Sequence, residues 1–137
     1  MVSRFGFGCL FWLACIPAGL KAQMSVEVRG PLPEEVRESS GLLLRGDLLI
    51  THNDSGNEPV LYAVDTSSLQ VRRRVRIAGV ANTDWEDLAE DENYLFIGDI
   101  GNNLGLRQDL KVLRVAKSDF DSSDEVQAEE IAYRYED

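Results

Sequence analysis

In Leu42-Leu43-Leu44-Arg45-Gly46-Asp47-Leu48-Leu49-Ile50, two short apolar runs flank three residues of turn-forming type. Runs of this length, bounded by a turn, read as two strands of a hairpin. Beyond this hairpin, Val60-Leu61-Tyr62-Ala63-Val64 follows a polar loop, and Gln70 to Ile77 alternates Val71, Val75 and Ile77 with arginines. The unit therefore holds four strands of period two, and no segment of the chain carries a helical stripe. Arg72, Arg73, Arg74 and Arg76 suit an edge-like fourth strand, where charge discourages pairing with another chain. Arg45-Gly46-Asp47 matches a cell-adhesion tripeptide, but it stands where the hairpin needs its turn and is read as that turn.

A second unit of the same design follows. Leu88-Ala89, Leu95-Phe96-Ile97, Val112-Leu113-Arg114-Val115 and Ile131-Ala132-Tyr133 repeat the four-strand order. Matching Leu42 with Leu88, Ile50 with Ile97 and Tyr62 with Leu113 gives spacings of 46, 47 and 51 residues. A repeat of ~40–50 residues with four strands is the pattern of propeller blades. The expected fold is all-β, with antiparallel four-stranded blades: residues 40–77 form the first, residues 78–137 the second, and residues 23–39 an extended lead-in in which Pro31 and Pro33 argue against a helix. Propellers close with ~4–8 blades, so two blades predict a truncated chain and an apolar blade face in need of a partner.

The first 22 residues read as a secretory signal: Arg4 is the positive start, Phe5 to Ile16 is almost wholly apolar, and Ala22 offers a small residue at the cut. The apolar run is shorter than the ~20 residues of a spanning helix, so no transmembrane segment is expected after its removal. The expected location is outside the cell or in the periplasm. Leu13-Ala14 before Cys15 also admits a lipid-attachment cysteine, although Trp12 stands where a small aliphatic residue is usual. Both cysteines, Cys9 and Cys15, fall in the leader, so the chain from Gln23 can form no disulfide.

Charge narrows the partners. The chain has 14 basic and 24 acidic residues, and removing Arg4 and Lys21 with the leader leaves 12 against 24. Such a balance disfavours nucleic acid and anionic membranes and favours cations or basic partners, or simply keeps an exported protein soluble.

Alternate connections of an up-and-down blade emerge on the same face. One face is thus expected to carry Glu38-Ser39-Ser40, the loop His52-Asn53-Asp54-Ser55-Gly56-Asn57, Asp84-Trp85-Glu86-Asp87 and the loop from Asp99 to Asn103. The other face receives ordinary turns: residues 45–47, 65–68, 91–93 and 118–124. Carboxylates and amides converging on one face suit Ca²⁺, which takes ~6–8 oxygen ligands in irregular geometry. The candidate ligands are Asp54, Glu86, Asp87, Asp99 and Asn102, with Asn53 and Asn103 as further neutral donors. A soft-metal site is excluded for the chain after Gln23, which lacks cysteine and has His52 as its only histidine. Asp54-Ser55-Gly56 and Gly101-Asn102-Asn103 are equally good turn formers, Trp85 suits the seam between blades, and His52 can fix loop backbone or act as a base. Glu86 and Asp87 point to opposite sides of an extended segment and cannot share a proton, whereas Asp54 and Glu86 can pair across blades. No nucleophile elbow, phosphate cradle or histidine pair appears. Asn53-Asp54-Ser55 fits a glycosylation acceptor.

The runs Thr51-His52-Asn53-Asp54-Ser55-Gly56-Asn57, Asn82-Thr83-Asp84-Trp85-Glu86-Asp87-Leu88-Ala89 and Ile97-Gly98-Asp99-Ile100-Gly101-Asn102-Asn103, with Arg107 and Leu110, resemble exported bacterial β-propeller proteins of uncharacterised function. The resemblance covers roughly residues 36 to 135 and implies more blades than this chain holds. A more distant similarity, to the β-propeller phytases, implies calcium-dependent phosphoester hydrolysis. It rests on the acidic loops of Asp54, Glu86, Asp87 and Asp99, and no phosphate-binding Lys/Arg set aligns. Three functions are therefore expected to compete: a cation-binding recognition module, a metal-dependent phosphoester hydrolase, and a purely structural exported domain.

Overall fold

The computed structural model describes residues 25–134; the expected signal and Cys15 lie outside them. Its regular structure is almost entirely β. Strands β1 (Ser39–Arg45), β2 (Leu48–Asn53), β3 (Val60–Asp65) and β4 (Val71–Ala78) run antiparallel in sequence order and form the first sheet. Strands β5 (Trp85–Glu90), β6 (Tyr94–Asp99), β7 (Lys111–Ala116) and β9 (Glu129–Ala132) form the second in the same way. Among the described residues the sheets close into neither a barrel nor a ring. No helix there is long and apolar enough to cross a membrane.

Two features depart from the sequence expectation. Residues 118–124, read as a turn, instead contain helix α1 (Lys117–Ser122), and β8 (Glu125–Gln127) then runs parallel to β4. The helix lacks a side-chain N-cap and has a single apolar anchor, so no periodic signal announces it. What holds it is Phe120, buried in the core beneath the guanidinium groups of Arg45 and Arg73, 5.7 and 6.0 Å from its ring centre. β4 is consequently not an edge: Ile77 pairs with Val126, and its arginines are taken by carboxylates of Asp65, Asp124, Glu35 and Glu58.

The turn reading of Arg45-Gly46-Asp47 agrees with the backbone, where Gly46 sits at φ +62° between β1 and β2. Arg45 is paired with Glu90 and Asp121.

Strand register corrects one spacing of the repeat. Ser39 pairs with Asn53 and Trp85 with Asp99, each before a bulge in the first strand, while Thr51 faces Tyr62 and Ile97 faces Leu113. Ile97 therefore corresponds to Thr51 and not to Ile50, and the spacing is 46 across both leading strands and 51 in the third. A one-residue slip reverses the face of a strand residue. Ile50 and Ile97 both enter the core between the sheets, from opposite walls.

That core joins unlike faces of similar sheets. The first sheet contributes Leu43, Ile50, Leu61, Ala63, Val75 and Ile77; the second contributes Trp85, Leu88, Leu95, Ile97, Leu113 and Val115. β3 is buried on both sides, because Val60, Tyr62 and Val64 form a second cluster under Val36, which a 3₁₀ turn at Glu34–Val36 presses onto them. The sheets meet along β1 and β5, which brings the loops at one end of each together.

Candidate functional site

Asn82 ties the first loop to the second sheet. Its side-chain amide donates to the carbonyls of Asn53 and Asp54 at 2.9 Å each, its carbonyl oxygen Oδ1 accepts from the Trp85 backbone at 3.1 Å, and its main-chain carbonyl accepts from Gly56 at 3.2 Å. Ser40 Oγ donates to the Glu86 carbonyl across the same seam. The four segments expected to share one face do share it.

The repeat carries a matching contact at this end. Asn53 Oδ1 accepts the Glu38 backbone N–H at 3.3 Å, and Asp99 Oδ1, 46 residues later, accepts the Asp84 N–H at 3.0 Å. Asp99 is fully buried and also meets Arg107 Nη1 at 3.0 Å; Arg107 Nη1 in turn donates to the Gly101 carbonyl at 2.9 Å. Asn102 closes the β6–β7 loop from within, its Oδ1 accepting the Arg107 N–H at 2.9 Å. Two of the five candidate ligands thus hold the loop. Asp87 has its Oδ1 on the Leu88 N–H at 2.8 Å and lies across β5 from Leu88.

Glu86 has Asp84 as its acidic neighbour, and Asp54 lies near enough for its charge to be felt at Glu86. Desolvation pushes the Glu86 carboxyl above the usual carboxylate range, and the charges of Asp84 and Asp54 push the same way. Among the described residues no basic side chain forms an ion pair with Asp54, Asp84 or Glu86. Gly101, whose N–H donates to the Asp84 carbonyl at 3.1 Å, sits against both Asp84, which precedes β5, and Glu86 within it. A Cβ there would stand 2.2 Å from Asp84 Oδ2 and 2.6 Å from Glu86 Oε1. The glycine therefore lets the Asp84 carboxylate pack onto the loop backbone, with the Glu86 carboxylate beside it, in space that any side chain at 101 would take. The signal for Asp84 was present in the sequence: residues 84 and 86 share a side of an extended chain, whereas 86 and 87 do not.

No three His, Cys, Asp or Glu side chains among the described residues gather closely enough to form a metal site by themselves. Two neighbouring carboxylates suit a hard cation that completes its shell with backbone carbonyls and water. A recess of about 320 Å³ on the same loop, lined by Asn102, Arg107, Gln108 and Tyr133 among others, includes none of the three acids.

His52 lies beneath the site, fully buried. Its Nδ1 faces the Asn53 carbonyl at 2.9 Å, so Nδ1 carries the proton, and its ring meets Trp85 edge to face at 5.5 Å. Burial lowers its pKa below the ordinary histidine value, against the raising influence of the Asn53 bond and of Asp54 and Asp87. The folded state thus prefers neutral histidine. Its contribution is fully present above the unfolded-state pKa of ~6.5 and is lost as pH falls towards the folded-state pKa. Urea unfolding at pH 7.5 and pH 5.5 should show stability falling by at most about 1.4 kcal/mol per pH unit below 6.5, with the fall absent in His52→Gln.

No family model, curated protein or solved structure matches the chain.

Proposed function

We propose that the chain is an exported β-propeller recognition module, its two sheets acting as blades, and that its acidic loop face binds a divalent cation of the Ca²⁺ class. The blade reading is supported by two four-stranded meanders that meet along their leading strands and pack unlike face to unlike face. One observation carries the cation reading: the Asp84 and Glu86 carboxylates lie side by side against Gly101, the charge of Asp54 reaches Glu86, and none of the three is neutralised by a basic side chain among the described residues. When bound, the cation would supply positive charge to the loop face. Asp84 and Glu86 would hold it, and Arg107, Asp99 and Asn102 would fix the loop that backs it.

Few protein carboxylates imply weak binding, with Kd of about 10⁻⁴–10⁻³ M, the range of extracellular calcium modules. Calorimetric titration with CaCl₂ is expected to give saturable heat in that range, together with stabilisation of about 1.4 kcal/mol at ten times Kd. Glu86→Gln and Gly101→Ala should each abolish the heat. Absence of heat, with no change in melting temperature at millimolar calcium, would remove the cation from the proposal.

A further inference from the structure

We propose that the outward face of the second sheet is an interface for a second copy of this chain, which docks head to tail through the outward face of its own first sheet. The register correspondence of the two sheets carries this inference. Leu43, Leu48, Ile50 and Leu61 line the first sheet where it meets the second. Their counterparts, 46 residues on in the leading strands and 51 in the third, are Ala89, Tyr94, Phe96 and Val112. All four are apolar or aromatic, and all lie on the side of the second sheet away from the core, where Tyr94, Phe96 and Val112 are half-buried and Ala89 is exposed.

The reverse also holds. Leu88, Leu95, Ile97 and Leu113 pack inward from the second sheet, and they correspond to Leu42, Leu49, Thr51 and Tyr62 on the outward side of the first. Val36 closes the β3 end of that side, but its β1 rim stays open, with Leu42 57% and Leu44 63% exposed. One molecule thus presents a surface of the first-sheet type on its second sheet and, on its first sheet, the β1 rim of Leu42 and Leu44 of a surface of the second-sheet type whose Leu49, Thr51 and Tyr62 are covered within the chain. Charge does not oppose docking on the second sheet, since Arg114, stacked over Tyr94, is neutralised by Glu129, and Lys111 by Glu130. A contact between unlike faces leaves a free face on each copy, so association continues until a ring closes. The inference is independent of the cation.

Sedimentation velocity with light scattering on the purified protein tests it. The expected result is a mass above that of one chain, rising with concentration. Leu42→Glu and Phe96→Glu, each checked for folding by circular dichroism, should each weaken association at least tenfold. Mixed in equal amounts they should form a one-to-one dimer and nothing larger, because a single pair of intact faces survives. A single-chain mass up to about 1 mM, where even a contact of ~4 kcal/mol would register, overturns the proposal. So does association that both variants leave unchanged, or a mixture that fails to pair.

Discussion

Arg107→Ala is expected to lower the unfolding free energy by about 3–5 kcal/mol, the penalty of leaving a buried charge without its partner. Asp99 is fully buried, and Arg107, itself mostly covered, is the basic group that meets it. Removing the guanidinium also strips the Gly101 carbonyl of its donor at 2.9 Å. Urea unfolding would measure the loss. The first sheet suggests a rescue, because its counterpart of Asp99 is the neutral Asn53, which accepts the same kind of backbone N–H without an arginine. Asp99→Asn combined with Arg107→Ala should therefore recover much of the stability. A loss under about 1 kcal/mol in Arg107→Ala would show that Asp99 is solvated and that the pair does not hold the loop.

Most of the strand order was legible because period-two alternation and turn residues are local. Arg45-Gly46-Asp47 marks its turn whatever surrounds it, and the face shared by the four polar segments follows from strand reversal alone. Register was less legible. Leu42-Leu43-Leu44 is apolar at every position, so nothing local says that Leu43 enters the core while Leu42 faces out, and a match by residue type drew Ile97 to Ile50. The bulges after Ser39 and Trp85 are set by pairing with the next strand. Helix α1 and strand β8 were hidden for a related reason: Phe120 and Val126 acquire their meaning from a cavity between two sheets.

The candidate site divides along the same line. That acids would converge was readable, but which of them would be consumed by structure was not. Asp99 and Asn102 look like ligands in a list of oxygen donors, yet Arg107, eight residues beyond Asp99, turns one into half of an ion pair and the other into a clasp. Asp84 emerges once Gly101 is placed beside it, a contact between chain segments that no spacing encodes.

Trp85→Ala is expected to cost about 3–5 kcal/mol, as large-to-small changes of buried aromatics do. Trp85 begins β5, is fully buried, and meets the ring of His52 at 86° where the second sheet meets the first. Its indole N–H has no hydrogen-bond partner among the described residues, so its contribution is packing. Trp85→Phe, which keeps an edge for the imidazole, should lose less than half as much. The two variants also separate a general loss of core from a specific effect at the seam. Opening the cavity beside His52 admits water, relieves the desolvation that lowers its pKa, and should flatten the acid-side fall in stability in Trp85→Ala. If urea midpoints at pH 7.5 and 5.5 fell by equal amounts in Trp85→Ala and in the parent protein, the indole would not be what keeps His52 dry.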